Sequence, residues 1–231
     1  MRRTFLIAVL GILLLAPSAF AGSVTGKVTY DGNVPRLRPI DMNADPACAA
    51  KHDGRVANPM LTLGEGNGMA NIFVQIKNAP DGGTAPSDPV VIDQDGCMYA
   101  PRVSGAMVGQ TVQFRNSDGI LHNVHGLPKE NREFNIGMPP TLKESNQVFN
   151  KPEPLFPVKC DVHPWMQSYV AVMTHPYFTT TDANGNFTID GVPAGTYEVE
   201  VWHERLGTQS MSVTVGDGAA EANFTMAPPS R

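Results

Sequence analysis

The sequence predicts an all-β protein of more than one domain. Three observations lead there. Short runs alternate apolar and polar residues with period two, as half-buried strands do. The 231 residues include 22 Gly and 20 Pro, the punctuation of a turn-rich β chain. The chain also changes character twice, at the linker-like stretch Asp81-Gly82-Gly83-Thr84-Ala85-Pro86-Ser87-Asp88-Pro89 and after His175-Pro176. The expected organisation is a leader at 1–21 followed by three segments, 22–85, 86–175 and 176–231.

Taken in order, Ser23 to Tyr30 places Val24, Gly26, Val28 and Tyr30 on one face, and Asp31-Gly32-Asn33 closes that strand. Pro35 and Pro39 make the next stretch an edge or a loop. A short helix is expected over Asp45 to His52, opened by Pro46. Its Cys48 and His52 have an i, i+4 spacing that suits a metal, but a disulfide cysteine beside a surface histidine is the stronger reading. Strands follow at Asn71 to Lys77, from Val90, from Met98, and at Gly109 to Asn116. The polar stretch 126–150 is expected to hold one strand, Ser145 to Phe149. Three prolines, at 152, 154 and 157, precede Val158. Tyr169 to Met173 is an apolar strand. Phe178 to Thr181 and Phe187 to Ile189 flank an Asn-Gly and read as a hairpin. Asp182, Asn184 and Asn186 alternate as calcium ligands do, but the Gly and distal Glu of such a loop are missing. Thr196 to Trp202, Ser210 to Val215 and Ala222 to Met226 complete the set.

Arg2 and Arg3 precede the apolar run Phe5 to Leu15, and Ala19-Phe20-Ala21 is a small-x-small cleavage signature. The expectation is cleavage before Gly22, export to the periplasm or exterior, and no membrane span afterwards. Arg2-Arg3 is a partial match to a twin-arginine signal. Net charge is −5, and losing those two arginines leaves −7. That argues against nucleic acid as a partner.

Cys160-Asp161-Val162-His163-Pro164-Trp165-Met166 puts a thiol, an imidazole and a thioether into seven residues. Thiolate and thioether favour Cu(I), while imidazole serves both copper states, so this donor set suits a mononuclear copper site cycling Cu(I)/Cu(II). A second imidazole is needed. Leu121-His122-Asn123-Val124-His125 offers two. Zinc is the competing metal, although Met is an odd zinc ligand. A dinuclear copper centre would need a second cysteine on the loop. With Cys160 kept for metal, Cys48 and Cys97 remain to form a disulfide in an oxidising compartment. His175 and His203 are expected to line the domain interface by packing and hydrogen bonding.

The Cys160-x2-His163-x2-Met166 loop, with Pro164 and an aromatic before the Met, resembles the ligand loop of amicyanin. His122-Asn123-Val124-His125 resembles the upstream ligand segment of amicyanin and plastocyanin. The strand Val108 to Phe114, followed by Asn116, resembles the one that leads to that histidine in cupredoxins. The resemblance runs from Pro89 to Met173. It implies a Greek-key cupredoxin sandwich with His122, Cys160, His163 and Met166 as ligands, leaving His125 out. Cupredoxins often carry Ser or Thr after the ligand Cys, where this chain has Asp161. A hydrogen bond from Asn123 to Asp161 would brace the two ligand loops. Pro164 and Trp165 would keep the loop dry. Separately, Thr181 to Phe187, Gly191 to Tyr197 and the opening Gly22 to Val28 resemble a carboxypeptidase regulatory-like sandwich, which implies a scaffold or binding role. Together the two resemblances imply two β-sandwiches, the larger, at 86–175, inserted in or packed beside the smaller, whose strands lie at 22–85 and 176–231.

The resemblance to cupredoxins implies an exported single-electron carrier, not an enzyme, working between a redox donor and an acceptor protein. Copper delivery without redox turnover, and a non-catalytic binding module, are the other readings. Reductase or oxidase chemistry would need an open copper position, for which the sequence shows no further histidine-rich motif.

Overall fold

The computed structural model describes residues 21–228. The leader expected at 1–21 falls outside them except for Ala21, which opens the first strand. The strands are β1 (Ala21–Tyr30), β2 (Phe73–Ile76), β3 (Val90–Asp95), β4 (Met98–Ala100), β5 (Val103–Met107), β6 (Thr111–Asn116), β7 (His122–Gly126), β8 (Phe134–Met138) and β9 (Glu144–Val148). They continue as β10 (Glu153–Lys159), β11 (Gln167–Met173), β12 (Phe178–Thr180), β13 (Asn186–Pro193), β14 (Gly195–His203), β15 (Gly207–Val215), β16 (Ala219–Glu221) and β17 (Phe224–Met226). The helix α1 (Pro46–Ala49) is a single turn.

These strands make four sheets, paired face to face as two sandwiches. In one, β13-β1-β16, with β17 also on β1, faces β12-β2-β14-β15. Val24, Val28, Val74, Ile76, Ile189, Val199, Val201 and Phe224 fill the space between them. In the other, β4-β3-β6-β9 faces β5-β11-β10-β7-β8. Its core holds Ile92, Val112, Phe114, Val124, Phe156, Val158, Val170 and Val172. Each such side chain taken fully out of water contributes about 1.5–3 kcal/mol.

Strand periodicity also joins the two sandwiches. On β11, Val170 and Val172 point into the second core, while Tyr169, Ala171 and Met173 point the other way. On β2, Val74 enters the first core, and Phe73 meets Ala171 and Val103 at the junction. Successive side chains on a strand alternate faces, so one strand serves a core and an interface together. Arg102 and Glu204 close the junction as an ion pair with little exposure on either side, and the Tyr169 hydroxyl donates to Glu204 Oε2 at 2.8 Å.

Two sequence expectations are corrected. Phe178–Thr180 and Asn186–Pro193 are not a hairpin: β12 pairs with β2, and β13 pairs with β1, in opposite sheets. The turn between them is real, but it serves as a crossing. Asp182 Oδ1 accepts from the Asn184 and Asn186 N–H groups at 2.8 Å. Gly185 has φ +81°, and a Cβ there would lie 2.4 Å from Val28 O. The turn is thus clamped onto β1, which draws the next strand into that sheet.

The strand β10 contains both Pro154 and Pro157. Its register shifts between Glu153 and Phe156, around Pro154, while Pro157 stays in register opposite Tyr169. The second correction is β8, an additional strand inside the polar stretch, paired with β7 from His122↔Met138 to Gly126↔Phe134.

Candidate metal centre

β7 presents His122 at its first residue. The 160–166 loop joins β10 to β11, whose antiparallel pairing brings its ends together. Within it, Cys160 N–H donates to Met166 O at 3.2 Å and Met166 N–H to His163 O at 2.9 Å. β10 also pairs with β7, at Val158↔Gly126 and Lys159↔His125. That register sets the start of β7 beside the loop.

The result is one buried cluster. His122 Nδ1 lies 2.9 Å from His163 Nδ1, and Cys160 Sγ lies 3.7 Å from His163 Nδ1. The three donor atoms all fall within 4.8 Å of one another. His122, Cys160, His163 and Met166 are each at most 2% exposed. Metal–imidazole and metal–thiolate bonds of about 2.0–2.3 Å span separations of this size.

Asn123 ties the loops together. Its Oδ1 accepts from Asp161 N–H and, at 3.4 Å, from Val162 N–H. Its Nδ2 donates to Asp161 Oδ2 at 3.1 Å and to Asn135 Oδ1 at 2.7 Å. Its backbone N–H points at Cys160 Sγ, 3.5 Å away. Trp165 donates from Nε1 to Cys97 O at 3.1 Å, and its ring centroid stands 5.1 Å from that of His163. Pro164 is exposed.

The electrostatics favour a thiolate. Burial pushes the Cys160 thiol up, but hydrogen bonds from His122, Asn123 N–H and His163 outweigh it and bring its pKa down to about 7. Burial lowers His122, but Asp118 and Cys160 raise it to about 9. The same contacts that favour a thiolate at Cys160 favour a protonated ring at His122. A metal ion would take over the compensating positive charge.

His125 stands apart. Its Nδ1 is 3.0 Å from Asp161 Oδ2 and its Nε2 is 3.0 Å from Glu133 Oε1. His175 accepts from Tyr177 N–H through Nδ1, and His203 donates to Met60 O. Neither joins a possible metal group among the described residues. Cys48 and Cys97 form a disulfide across a sequence separation of 49. His52 Nε2 meets Gly96 O at 2.7 Å.

Sequence reasoning missed the groups behind the imidazoles. Asp118 Oδ2 is 2.8 Å from His122 Nε2, and Asp45 Oδ2 is 3.0 Å from His163 Nε2. Lys51 Nζ lies 3.0 Å from Asp118 Oδ1. Tyr99 donates to Asn123 O at 2.6 Å and also reaches Lys159 O. The one available signal was Asp45 before Pro46, a helix N-cap pattern that says nothing about an imidazole 118 positions away.

No curated protein matches the chain. Among solved structures, a copper-containing nitrite reductase from Thermus scotoductus is similar at 22% identity and TM-score 0.35, over 41% of this chain. The chain spans only 24% of that reductase. A proline-to-alanine mutant of amicyanin, in its oxidised state, is similar at 22% identity and TM-score 0.33, over 39% of this chain and 97% of its own. A purple cupredoxin from Nitrosopumilus maritimus is similar at 24% identity and TM-score 0.31, over 36% of this chain and 99% of its own. Residues 168–227, from within β11 to just past β17, match the carboxypeptidase regulatory-like domain family.

Proposed function

We propose that this chain binds one copper ion through His122, Cys160, His163 and Met166, and that it carries single electrons between a donor and an acceptor protein. The observation that supports this reading is the convergence of two imidazole Nδ1 atoms and one thiolate inside a water-excluded cluster. Copper in such a set would supply a Cu(I)/Cu(II) couple, with the thioether as a weak axial donor. Cys160 would be the strong thiolate donor, and His122 and His163 would complete the plane. Asn123, bonded to Asp161 and Val162, fixes the distance between the two loops, so little has to move when the oxidation state changes. Trp165 and the 45–48 segment exclude water from His163.

In this reading the copper unit is 86–175, set between the halves, 22–85 and 176–231, of a regulatory-like sandwich that acts as a scaffold. Within the first half, Ile40, Met42 and Cys48 pack on the copper unit rather than on their own sandwich. Leu121 and Val162, 51% and 45% exposed, flank the two ligand histidines and offer apolar contact to redox partners. No helix among the described residues is long and apolar enough to cross a membrane. Export then places the carrier in the periplasm or outside the cell.

The test is copper reconstitution followed by absorption and paramagnetic resonance spectroscopy. An intense thiolate-to-copper band near ~600 nm, abolished in Cys160→Ser, is expected for this type of site. A copper-loaded protein without that band, or a Cys160→Ser protein that keeps it, overturns the reading. Fast loss of copper to an acceptor apoprotein would favour delivery instead.

A further inference from the structure

Both imidazoles have a second nitrogen, and both second nitrogens face a carboxylate. If Nδ1 is the ligating atom, Nε2–H is left as a donor. Behind His122 that donor meets Asp118 Oδ2 at 2.8 Å, and behind His163 it meets Asp45 Oδ2 at 3.0 Å. The two carboxylates come from different parts of the chain. Asp118 sits in the β6–β7 turn. Asp45 precedes α1, in a segment that lies outside the two ligand loops.

Each carboxylate is itself held, and one covalent link holds both. Asp45 divides its oxygens: Oδ1 accepts from Ala47 N–H at 2.9 Å and Cys48 N–H at 3.4 Å, leaving Oδ2 for His163. Asp118 Oδ2 also accepts from Cys97 N–H at 2.8 Å. Cys48 and Cys97 are the two ends of the disulfide, and Cys48 Sγ lies 3.5 Å from His163 Nε2. The bridge therefore fastens the residue that orients one carboxylate to the residue that orients the other.

We infer that Asp45 and Asp118 are positioning residues that polarise the two imidazoles from behind, and that the Cys48–Cys97 disulfide keeps both in register with the metal cluster. The inference rests on the copper reading above. A carboxylate accepting Nε2–H fixes the tautomer and ring orientation, and makes Nδ1 a better donor. The better donor favours the more highly charged metal state, so both carboxylates hold the reduction potential down. His163 is also sealed: its outer edge faces Asp45 and the disulfide rather than solvent, so partner contact falls to the apolar neighbours Leu121 and Val162.

Asp45 is the position to test, because its side chain is one-third exposed while that of Asp118 is fully buried. Asp45→Ser keeps an oxygen for the α1 cap but is too short to reach the imidazole. Two readouts separate a positioning role from a structural one. In the metal-free protein, nitrogen-15 NMR is expected to show a slowly exchanging His163 Nε2–H in the parent and fast exchange in Asp45→Ser. In the copper protein, Asp45→Ser is expected to lose about tenfold in Cu(II) affinity relative to Cu(I), a rise of about 59 mV in potential. Asp118→Asn is expected to move the potential the same way. Unchanged exchange and unchanged potential in a coloured, copper-loaded Asp45→Ser protein overturn the inference and leave the copper reading standing. A parent chain that binds no copper overturns both.

Discussion

Removing the Cys48–Cys97 bridge by the double substitution Cys48→Ala, Cys97→Ala is expected to cost about 4 kcal/mol. The figure follows from the size of the loop it closes. A separation of 49 residues inserted into the loop-closure entropy relation gives about 4 kcal/mol at 25 °C. Both cysteines lie in the second core with no exposure, so losing the two sulfur atoms adds a smaller cavity cost. At a denaturant slope of about 2 kcal/mol per molar, the urea midpoint of the metal-free protein falls by about 2 M. Trp165 reports on this core, since it packs there and bonds to Cys97 O, a backbone atom that the substitution keeps. Its fluorescence in a Trp202→Phe background follows the unfolding of this sandwich. The copper-loaded variant should also show a raised potential, in the direction expected for Asp45→Ser. A loss below about 1 kcal/mol with an unmoved potential would refute the view that the bridge both limits the unfolded chain and aligns the two carboxylates.

Three further outcomes are expected. Glu153, buried at the start of β10, accepts from the Lys129, Glu130 and Asn131 N–H groups, and Glu153→Gln should cost about 2–3 kcal/mol at neutral pH in urea titrations. Burial raises its carboxyl but those N–H groups lower it further, so it titrates below the ordinary 4.5. Its contribution is complete above pH 4.5 and is lost as pH falls through the folded-state value, so parent and variant stabilities should converge at the acid end; curves that stay parallel would contradict this. Arg102→Met should cost about 3–5 kcal/mol by leaving Glu204 buried without its cation, while the double change Arg102→Met, Glu204→Leu should be milder; a double variant as unstable as the single one would count against it. Gly26→Ala should cost about 3 kcal/mol in the first sandwich, because a Cβ there would lie 1.9 Å from Ala222 O; calorimetry showing a change within about 0.5 kcal/mol would show that β16 and β17 yield freely.

Local features were legible in the amino-acid order. Period-two alternation marked most strands, because a half-buried strand must write its burial into every second residue. The thiol, imidazole and thioether of 160–166 could be read together because one loop holds all three. Cys48 and Cys97 followed by arithmetic, once Cys160 had another use. Where strands go was less legible. The Asn-Gly signal over 178–189 marks a turn correctly, but a turn does not say which neighbour the next strand meets. Gly185 lying against β1 settles that. The prolines before Val158 do not show where β10 begins, and only its ladder shows a register shift around Pro154 with Pro157 still paired to Tyr169.

The rest of the site exists only in three dimensions. His122 reaches the loop because β7 pairs with β10 in one register, and a two-residue slip would carry its imidazole away along the strand. Asp45 and Asp118 hold the outer edges of the two rings, yet no spacing rule links 45 to 163. A hydrogen bond between side chains 118 positions apart depends on how separate segments pack. The amino-acid order records that packing only through the whole of the folded chain.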